Sequence, residues 1–379
     1  MHKILLVSSE FPPGPGGIGH HAFSLCKELQ KKENIGLTIL CNADYVNKEN
    51  IQHFDKTSNL DIIRFKRAGK FTQIVKLIQF FYIVNKVKPE TIIFTGLFSL
   101  WTMNILVFGE RIKKIAIIHG HEPIFGSKLS QWLTYQSFKK ANHFVTVSRF
   151  SKTILEKKYL LNPYQSISII SNGIDVDYLS SWNLALSNSL DMEALKVGFP
   201  RLLTIGHTSP RKGQHNVINA LQEIKKLYPK VIYYVVGRDV NNKGLIEKAK
   251  MLGVIDNIQF IPPTIAHFQL LHFYNNADIF MLLSENQPNG DVEGFGIVAL
   301  EANFFGVPVI GSKGCGVEDA VEDGFSGFLV NVQNCEEISV KVRNIIQGYD
   351  CFSTNAKEFA NRHNWSSLVK KYESILCAE

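Results

Sequence analysis

Short apolar runs alternate with segments of helical period along the whole chain. Runs near residues 3–8, 36–41, 61–65, 91–95, 115–118, 143–147 and 167–170 form one series, and runs near 201–205, 231–236, 258–261, 279–283, 307–310 and 327–330 form another. Apolar runs of strand length separated by helical patterns predict βαβ units, and repeated βαβ units predict parallel, doubly wound sheets. The rhythm lapses over Asp177 to Gly198, a stretch rich in Ser, Asn and Leu. An N-terminal domain over 1–176, a linker over 177–197 and a second domain over 198–357 are therefore expected. Ligands of open α/β sheets bind beyond the carboxyl ends of the strands, so two such sheets facing each other would enclose a cleft.

Two segments depart from this rhythm. Between Glu90 and Glu110 lie 19 uncharged residues, but Thr91, Thr95, Gly96, Ser99, Thr102, Asn104 and Gly109 interrupt them, which favours strand, turn and buried helix over a membrane span. From Phe71 to Val87 a helical period places Phe71, Ile74, Val75, Ile78, Phe81 and Tyr82 on one face, with Lys66, Arg67, Lys70, Lys76, Lys86 and Lys88 nearby. Such a face suits either the domain core or a membrane surface.

The chain has 379 residues, 45% of them hydrophobic and 20% charged, enough for two ordinary globular domains. Its six cysteines are scattered without C-x-x-C spacing, so neither a disulfide framework nor a structural metal is expected. Met1-His-Lys runs directly into an apolar strand pattern, which leaves no room for a signal peptide and implies a cytoplasmic protein. Charge is uneven: residues 1–180 carry 23 Lys and Arg against 13 Asp and Glu, whereas 181–379 carry 18 against 21. A basic first half implies an anionic partner, here an anionic membrane surface or a lipid-linked acceptor, with peripheral attachment to the inner face of the membrane. No nucleic-acid-binding motif accompanies the charge.

The segment Glu293-Gly-Phe-Gly-Ile-Val-Ala-Leu-Glu301 carries the clearest chemistry. It follows a strand pattern, and glycines where a helix begins leave backbone N–H groups that attract phosphate, as does the positive end of the dipole. Were residues 296 to 301 helical, Glu293 and Glu301 would lie about 12 Å apart along the axis. Carboxylate pairs that hydrolyse a glycosidic bond stand about 5 to 9.5 Å apart. The wider spacing suits the two ends of a long ligand: sugar hydroxyls at Glu293, ribose hydroxyls at Glu301, and a diphosphate between them beside Gly294, Phe295, Gly296 and Ile297. This E-x7-E segment resembles the signature of the retaining glycosyltransferases of family 4, which have the GT-B fold.

Further motifs carry the resemblance across nearly the whole chain. Gly14, Gly16 and Gly19 formally match the dinucleotide fingerprint G-x-G-x-x-G, but two prolines separate them from the strand. The loop is more similar to the family's G-G-x-G loop, which implies that Gly16, Gly17 and Gly19 approach the donor diphosphate. His119 follows a strand where the family has a sugar-contacting histidine, with His121 as the alternative. Gly206 to Gly213 resembles G-R-x-x-x-x-K-G, so Lys212 matches the phosphate-binding lysine; His207 replaces the family arginine, and Arg211 is available to compensate. Ser148, Arg149 and Asn172 resemble positions lining the acceptor side. Gly237-Arg238-Asp239 and Ile261-Pro262-Pro263 depart from the family's glycine patterns near the nucleotide. Asp291-Val-Glu293 could mimic an acidic metal motif, although the resemblance implies no metal and no cofactor beyond the nucleotide sugar. It also implies that the C-terminal segment 358–379, helical from Trp365 to Leu376, packs back on the first domain.

The resemblance implies transfer of a hexose-type sugar, with retention and without metal, from a nucleotide diphosphate donor such as a UDP or GDP sugar. The acceptor expected is a saccharide hydroxyl, lipid-linked, in the assembly of a surface polysaccharide, lipopolysaccharide or glycolipid. His119, Glu293, Lys212 and Arg211 would carry the reaction. A nucleotide-sugar epimerase on the same fold, a catalytically silent nucleotide-sugar-binding protein and an NAD-dependent dehydrogenase are the alternatives at this point.

Overall fold

The computed structural model describes residues 1–43, 47–66, 68–106, 112–186, 197–237, 242–261 and 270–377, with the backbone alone for 182–186. Arg67, Arg238, Asp239, Pro262 and Pro263, named above, lie outside the described residues. The chain divides into two compact units, Met1–Asn172 with Trp365–Glu379, and Gly173–Asn364.

The first unit is built on a seven-stranded sheet in the order β3-β2-β1-β4-β5-β6-β7, every pair parallel. Its strands are β1 (His2–Ser8), β2 (Ile35–Cys41), β3 (Ile62–Arg64), β4 (Thr91–Thr95), β5 (Lys113–Ile118), β6 (His143–Thr146) and β7 (Ser166–Ile169). All of β4 and the last five residues of β1 are buried, the pattern of strands covered on both faces. Register brings Ser8 level with Thr95, and Thr95 level with Ile117, so the segments leaving β1, β4 and β5 emerge side by side. The connecting helices are α1 (Gly17–Gln30), α2 (Lys48–Thr57), α3 (Thr72–Val87), α4 (Leu97–Thr102), α5 (Lys128–Phe138) and α6 (Arg149–Lys158).

The second unit carries a parallel six-stranded sheet in the order β10-β9-β8-β11-β12-β13. Its strands are β8 (Arg201–Ile205), β9 (Ile232–Val236), β10 (Ile258–Ile261), β11 (Ile279–Leu282), β12 (Val309–Ser312) and β13 (Gly327–Val330). Around it lie α7 (Val176–Leu186), α8 (Gln214–Leu227), α9 (Asn242–Met251), α10 (Leu270–Asn276), α11 (Ile297–Phe304), α12 (Cys335–Gln347) and α13 (Tyr349–Arg362). Its core joins Leu202, Tyr233, Val235, Ile279, Met281 and Ile310 of the sheet to Val217, Leu221, Ile338 and Val342 of α8 and α12. Each such side chain contributes about 1.5–3 kcal/mol when fully buried. The Tyr233 hydroxyl within it is satisfied: Tyr233 Oη donates to Thr204 Oγ1 at 2.9 Å, which donates to the Met281 carbonyl at 2.6 Å.

Every apolar run expected as a strand is one, and both sheets are doubly wound. The units divide at Asn172/Gly173 rather than within 177–197, and Val176–Leu186, at the start of the expected linker, is helical. At the other end the division falls at Asn364/Trp365, so residues 358–364 stay with α13, and only α14 (Trp365–Cys377) joins the first unit, packing against α1. Of the uncharged run after Glu90, residues 91–106 hold β4, α4 and a short 3-10 turn, and its end, with Gly109 and Glu110, lies outside the described residues. No helix among the described residues is long and apolar enough to cross a membrane.

In α3 the expected apolar face points outward. Phe71, Ile74, Ile78, Phe81 and Tyr82 are exposed, while Phe80, Ile83 and Val84 fill the core. Lys76, expected among the surface cations, is instead 6% exposed, with its ammonium 5.2 Å from the centre of the Phe98 ring and 5.9 Å from that of Phe65. Aromatic faces offset part of the cost of burying a cation.

Candidate active site

In the second sheet the chain builds outward from β8 to β10, then returns to lay β11 on the other side of β8. At that reversal the segments leaving β8 and β11 lie side by side with no helix between them, the usual place for a ligand. The first holds Arg211 and Lys212 and the second holds Asp291 and Glu293, more than 70 residues later.

Close backbone packing joins the two. Gly213 has φ +69°, and a Cβ there would overlap the Leu283 carbonyl. Only glycine combines that conformation with that clearance. Glu285 N donates to the Arg211 carbonyl at 2.9 Å, and Asn216 Nδ2 donates to the Leu283 carbonyl at 3.0 Å.

The side chains then converge on Glu293. Lys212 Nζ lies 2.8 Å from Glu293 Oε2, and Arg211 Nη1 donates to the same oxygen. Arg211 Nε lies 2.9 Å from Asp291 Oδ1. Burial by itself pushes the Glu293 carboxyl up, but Lys212 and Arg211 more than offset this and hold it below the ordinary glutamate value. The acidic pair Asp291 and Glu293, which in sequence could mimic a metal motif, thus faces a guanidinium. No cluster of His, Cys, Asp or Glu suited to a metal ion occurs among the described residues.

Glu293 to Gly296 precede α11 rather than forming its first turn, so helical rise applies only from Ile297. Gly294 and Gly296, expected to leave their N–H groups uncovered, are buried, as is Phe295. Gly316 N donates to the Glu293 carbonyl at 2.8 Å, and a Cβ on Gly316 would overlap the Gly294 carbonyl. Phe295 is 2% exposed, its ring 6.4 Å from that of His363, while Ile297 is half-buried.

Glu301 sits on the second turn of α11. Tyr274 Oη of α10 donates to Glu301 Oε2 at 2.9 Å. Burial raises the Glu301 carboxyl, and the Tyr274 hydrogen bond and the Lys212 charge offset this only in part. Lys212 therefore acts electrostatically on both glutamates. His207 is exposed on the same β8 segment, its carbonyl accepting from Gln214 Nε2 at 3.3 Å.

Helices α1, α8 and α11 start on Gly16, Gly213 and Gly296 with no side-chain cap, whereas α2, α5, α6 and α12 are capped by Asn47, Ser127, Ser148 and Asn334. An uncapped N-terminus keeps amides for another acceptor.

A second group of candidate residues lies in the first unit. His119 is 8% exposed and its Nε2 is hydrogen-bonded to Thr95 Oγ1 at 2.8 Å. The buried Glu122 carboxylate accepts from His119 N at 3.0 Å and Gly120 N at 2.9 Å, fixing the loop after β5. Burial, reinforced by His21, lowers the His119 imidazole to about 3, so at neutral pH it is an uncharged hydrogen-bonding group. His121 is half-buried, with its ring 5.5 Å from Phe125.

Gly17 and Gly19 form the first turn of α1 instead of an open loop, and Gly16, at φ +135°, is its N-cap. A Cβ on Gly16 would overlap the Glu10 carboxylate. Burial raises the Glu10 carboxyl, while His121 and the Gly19 amide oppose the shift. Ser148 is wholly buried and its Oγ accepts from Ser151 N at 3.0 Å, so it serves as the α6 cap. Arg149 is exposed. Asn172 is 4% exposed and its Oδ1 has no hydrogen-bond partner.

Sequence reasoning missed Tyr274, Thr95, Glu10, His21 and Glu122. A carboxylate shortly after a strand was the one available signal for Glu10 and Glu122. Nothing local marked Tyr274, which meets Glu301 only through the packing of α10 beside α11.

Two family models match: that for group 1 glycosyl transferases over residues 190–363, and that for glycosyltransferase family 4 over residues 15–178. A GDP-mannose-dependent alpha-(1-6)-phosphatidylinositol monomannoside mannosyltransferase of Mycolicibacterium smegmatis is 25% identical over 369 residues, 96% of this chain and 94% of the relative. Among solved structures, Anabaena HepE in complex with UDP and glucose superposes with a TM-score of 0.76 at 19% identity, covering 99% of both chains. WaaG, a glycosyltransferase involved in lipopolysaccharide biosynthesis, superposes with a TM-score of 0.66 at 14% identity, covering 99% of this chain and all of WaaG. With both halves of the chain matched and the fold shared from end to end, the protein belongs to glycosyltransferase family 4, the group 1 glycosyl transferases of the GT-B fold.

Proposed function

We propose that the protein transfers a hexose-type sugar from a nucleotide diphosphate donor to a hydroxyl of a lipid-linked saccharide, retaining the anomeric configuration. The observation that carries this reading is the pairing of Arg211 and Lys212 with Glu293. Two cations beside a helix that starts without a side-chain cap suit a diphosphate, and the carboxylate they hold suits sugar hydroxyls.

In this reading the donor diphosphate takes Lys212 and Arg211 from Glu293, with the N-terminus of α11 at Gly296 and Ile297 completing the anion site. Glu293, released, accepts hydrogen bonds from the sugar. Glu301, oriented by Tyr274, accepts them from the ribose. His119 is a neutral partner for a sugar hydroxyl, and Gly16, Gly17 and Gly19 are assigned to the donor diphosphate by the family's G-G-x-G loop. His121, Ser148, Arg149 and Asn172 belong to the acceptor side.

As the anomeric C–O bond to phosphate breaks, the acceptor oxygen bonds the same face of that carbon and its proton passes to the departing phosphate oxygen. Negative charge grows on the diphosphate, where fixed cations lower the barrier most. Arg211 supplies the charge that His207 lacks. No residue is assigned as nucleophile and no metal takes part.

A lipid-linked acceptor is supported by the exposed face of α3 beside Lys70, Lys86 and Lys88. An exposed apolar stripe next to cations fits an anionic bilayer surface. The M. smegmatis relative is named for a phosphatidylinositol mannoside acceptor.

The test is to incubate the purified protein with UDP-glucose or GDP-mannose, with and without a bacterial glycolipid extract, and to follow nucleotide release and the new anomeric centre by NMR. Acceptor-dependent release with an α product from these α-linked donors supports the proposal. Epimerised donor without acceptor identifies an epimerase, and binding without release identifies a silent binder. An inverted product would overturn the retaining assignment.

A further inference from the structure

We infer that His21 is a positioning residue for His119, and that through it the C-terminal helix α14 sets the geometry of the sugar-contacting histidine. The inference rests on the reading of His119 given above.

His21 lies on α1, is 1% exposed, and stands with its ring edge-on to that of His119, centroids 5.0 Å apart at 88°. Its Nε2 is hydrogen-bonded to Tyr372 Oη of α14 at 3.1 Å, and its ring packs against Trp365 at 4.9 Å. Trp365 and Tyr372 are seven residues apart, hence on one face of α14, and both are buried. The His21–Tyr372 bond joins residues 351 apart in sequence.

A histidine at this position stands out among apolar neighbours on its helix. Its helix neighbours Ala22, Leu25 and Leu29 are fully buried apolar residues. The histidine also has a penalty, since its Nδ1 is buried without a hydrogen-bond partner, and an unsatisfied buried polar atom costs about 1–3 kcal/mol. What it gains is orientation. Tyr372 fixes the plane of the His21 ring, and that plane sets the wall against which His119 stands. Thr95 holds His119 Nε2, so Nδ1 is the nitrogen left for a ligand, and its direction follows from the tilt of the ring. Both imidazoles are lowered by burial to about 3, so the contact is between neutral rings and its effect is geometric.

The experiment compares Tyr372→Phe and His21→Leu with wild type, using nucleotide release from UDP-glucose and from GDP-mannose and the ring nitrogens of 15N-histidine-labelled protein. Tyr233→Phe, which removes an equally buried hydroxyl from the core of the second unit, is the control for general destabilisation. We expect Tyr372→Phe to lower kcat about tenfold with the donor KM within about twofold, on the scale at which small misplacements act. His119 ring signals, identified by their loss in His119→Ala, should shift in Tyr372→Phe and not in Tyr233→Phe. Within a His119→Ala background, Tyr372→Phe should lower kcat no further.

Unmoved His119 signals in Tyr372→Phe would overturn the inference whether or not either donor is turned over. So would an unchanged kcat in a His119-dependent enzyme. Full activity in His119→Ala would instead remove the reading of His119 on which the inference stands.

Discussion

Lys212 Nζ lies 2.8 Å from Glu293 Oε2, on the oxygen that also receives Arg211, so both candidate phosphate-binding cations are engaged by the residue proposed to bind the sugar. A donor must therefore compete with an internal carboxylate before it gains either cation, and its diphosphate frees the carboxylate for its own sugar. Glu293→Gln is expected to bind bare UDP or GDP more tightly than wild type, by about tenfold if one competing charge-assisted contact is worth about 1.5 kcal/mol. Turnover should fall about 100-fold or more. Isothermal titration with the nucleoside diphosphate checks the first expectation; weaker binding in Glu293→Gln would show that the ion pairs shape the site rather than occupy it.

The same pairs have a pH signature. Glu293 is held below the ordinary glutamate value of 4.5, so its pairing stabilises the fold above that pH, and the contribution is lost as the pH falls through the lower native value. Glu301 behaves oppositely. Its carboxyl is raised, so ionisation opposes folding at neutral pH, and the penalty disappears as the pH falls below its ordinary value. Glu301→Gln, which still accepts from Tyr274, should have a higher Tm than wild type at pH 7, with the difference closing towards pH 4, and should bind nucleotide more weakly. A Tm at pH 7 equal to or below that of wild type would contradict this assignment of charge.

Gly213 is the hinge on which the two segments meet. At φ +69°, with the Leu283 carbonyl in the space of a side chain, Gly213→Ala combines a strained backbone with a steric overlap. A loss of about 3 kcal/mol or more is expected, read as a lowered midpoint in urea unfolding. Gly253, also at positive φ but with open space around it, should lose only about 1 kcal/mol on the same substitution.

The exposed face of α3 gives a prediction independent of the chemistry. Ile74 and Ile78 are 56% and 64% exposed, one helical turn apart. Replacing both by Glu should weaken binding to phosphatidylglycerol-containing vesicles about 100-fold, since each buried isoleucine contributes about 1.5–3 kcal/mol. Sedimentation with vesicles at low salt measures it. Equal binding by the double variant, or none by wild type, would remove the membrane from the account.

The parallel sheets were legible because buried strands write themselves as contiguous apolar runs such as Ile4 to Val7 and Ile279 to Leu283, which depend on no distant residue. Glu293, Glu301 and Lys212 were legible because their chemistry is concentrated in short segments beside glycines. What escaped was pairing at a distance. Glu293 meets Arg211 only because β11 is laid against β8, and Tyr274 meets Glu301 only because α10 and α11 pack on neighbouring strands. The turn at Gly16 to Gly19 was misread because glycines favour an open loop locally, while buried Ala22, Leu25 and Leu29 draw the chain into a helix from Gly17. Lys76 was misread for a related reason: periodicity assigns a face, not the aromatic rings that face will meet.

In the proposed reaction Lys212 and Arg211 form a diphosphate site that Glu293 fills until a donor arrives. Titration of UDP-glucose and GDP-mannose into wild type and Lys212→Ala tests it most directly. One donor should bind wild type and bind Lys212→Ala at least about 30-fold more weakly, as expected for loss of a charge-assisted contact worth about 2 kcal/mol. Equal affinity in the two proteins, or no binding of either donor to wild type, would contradict it.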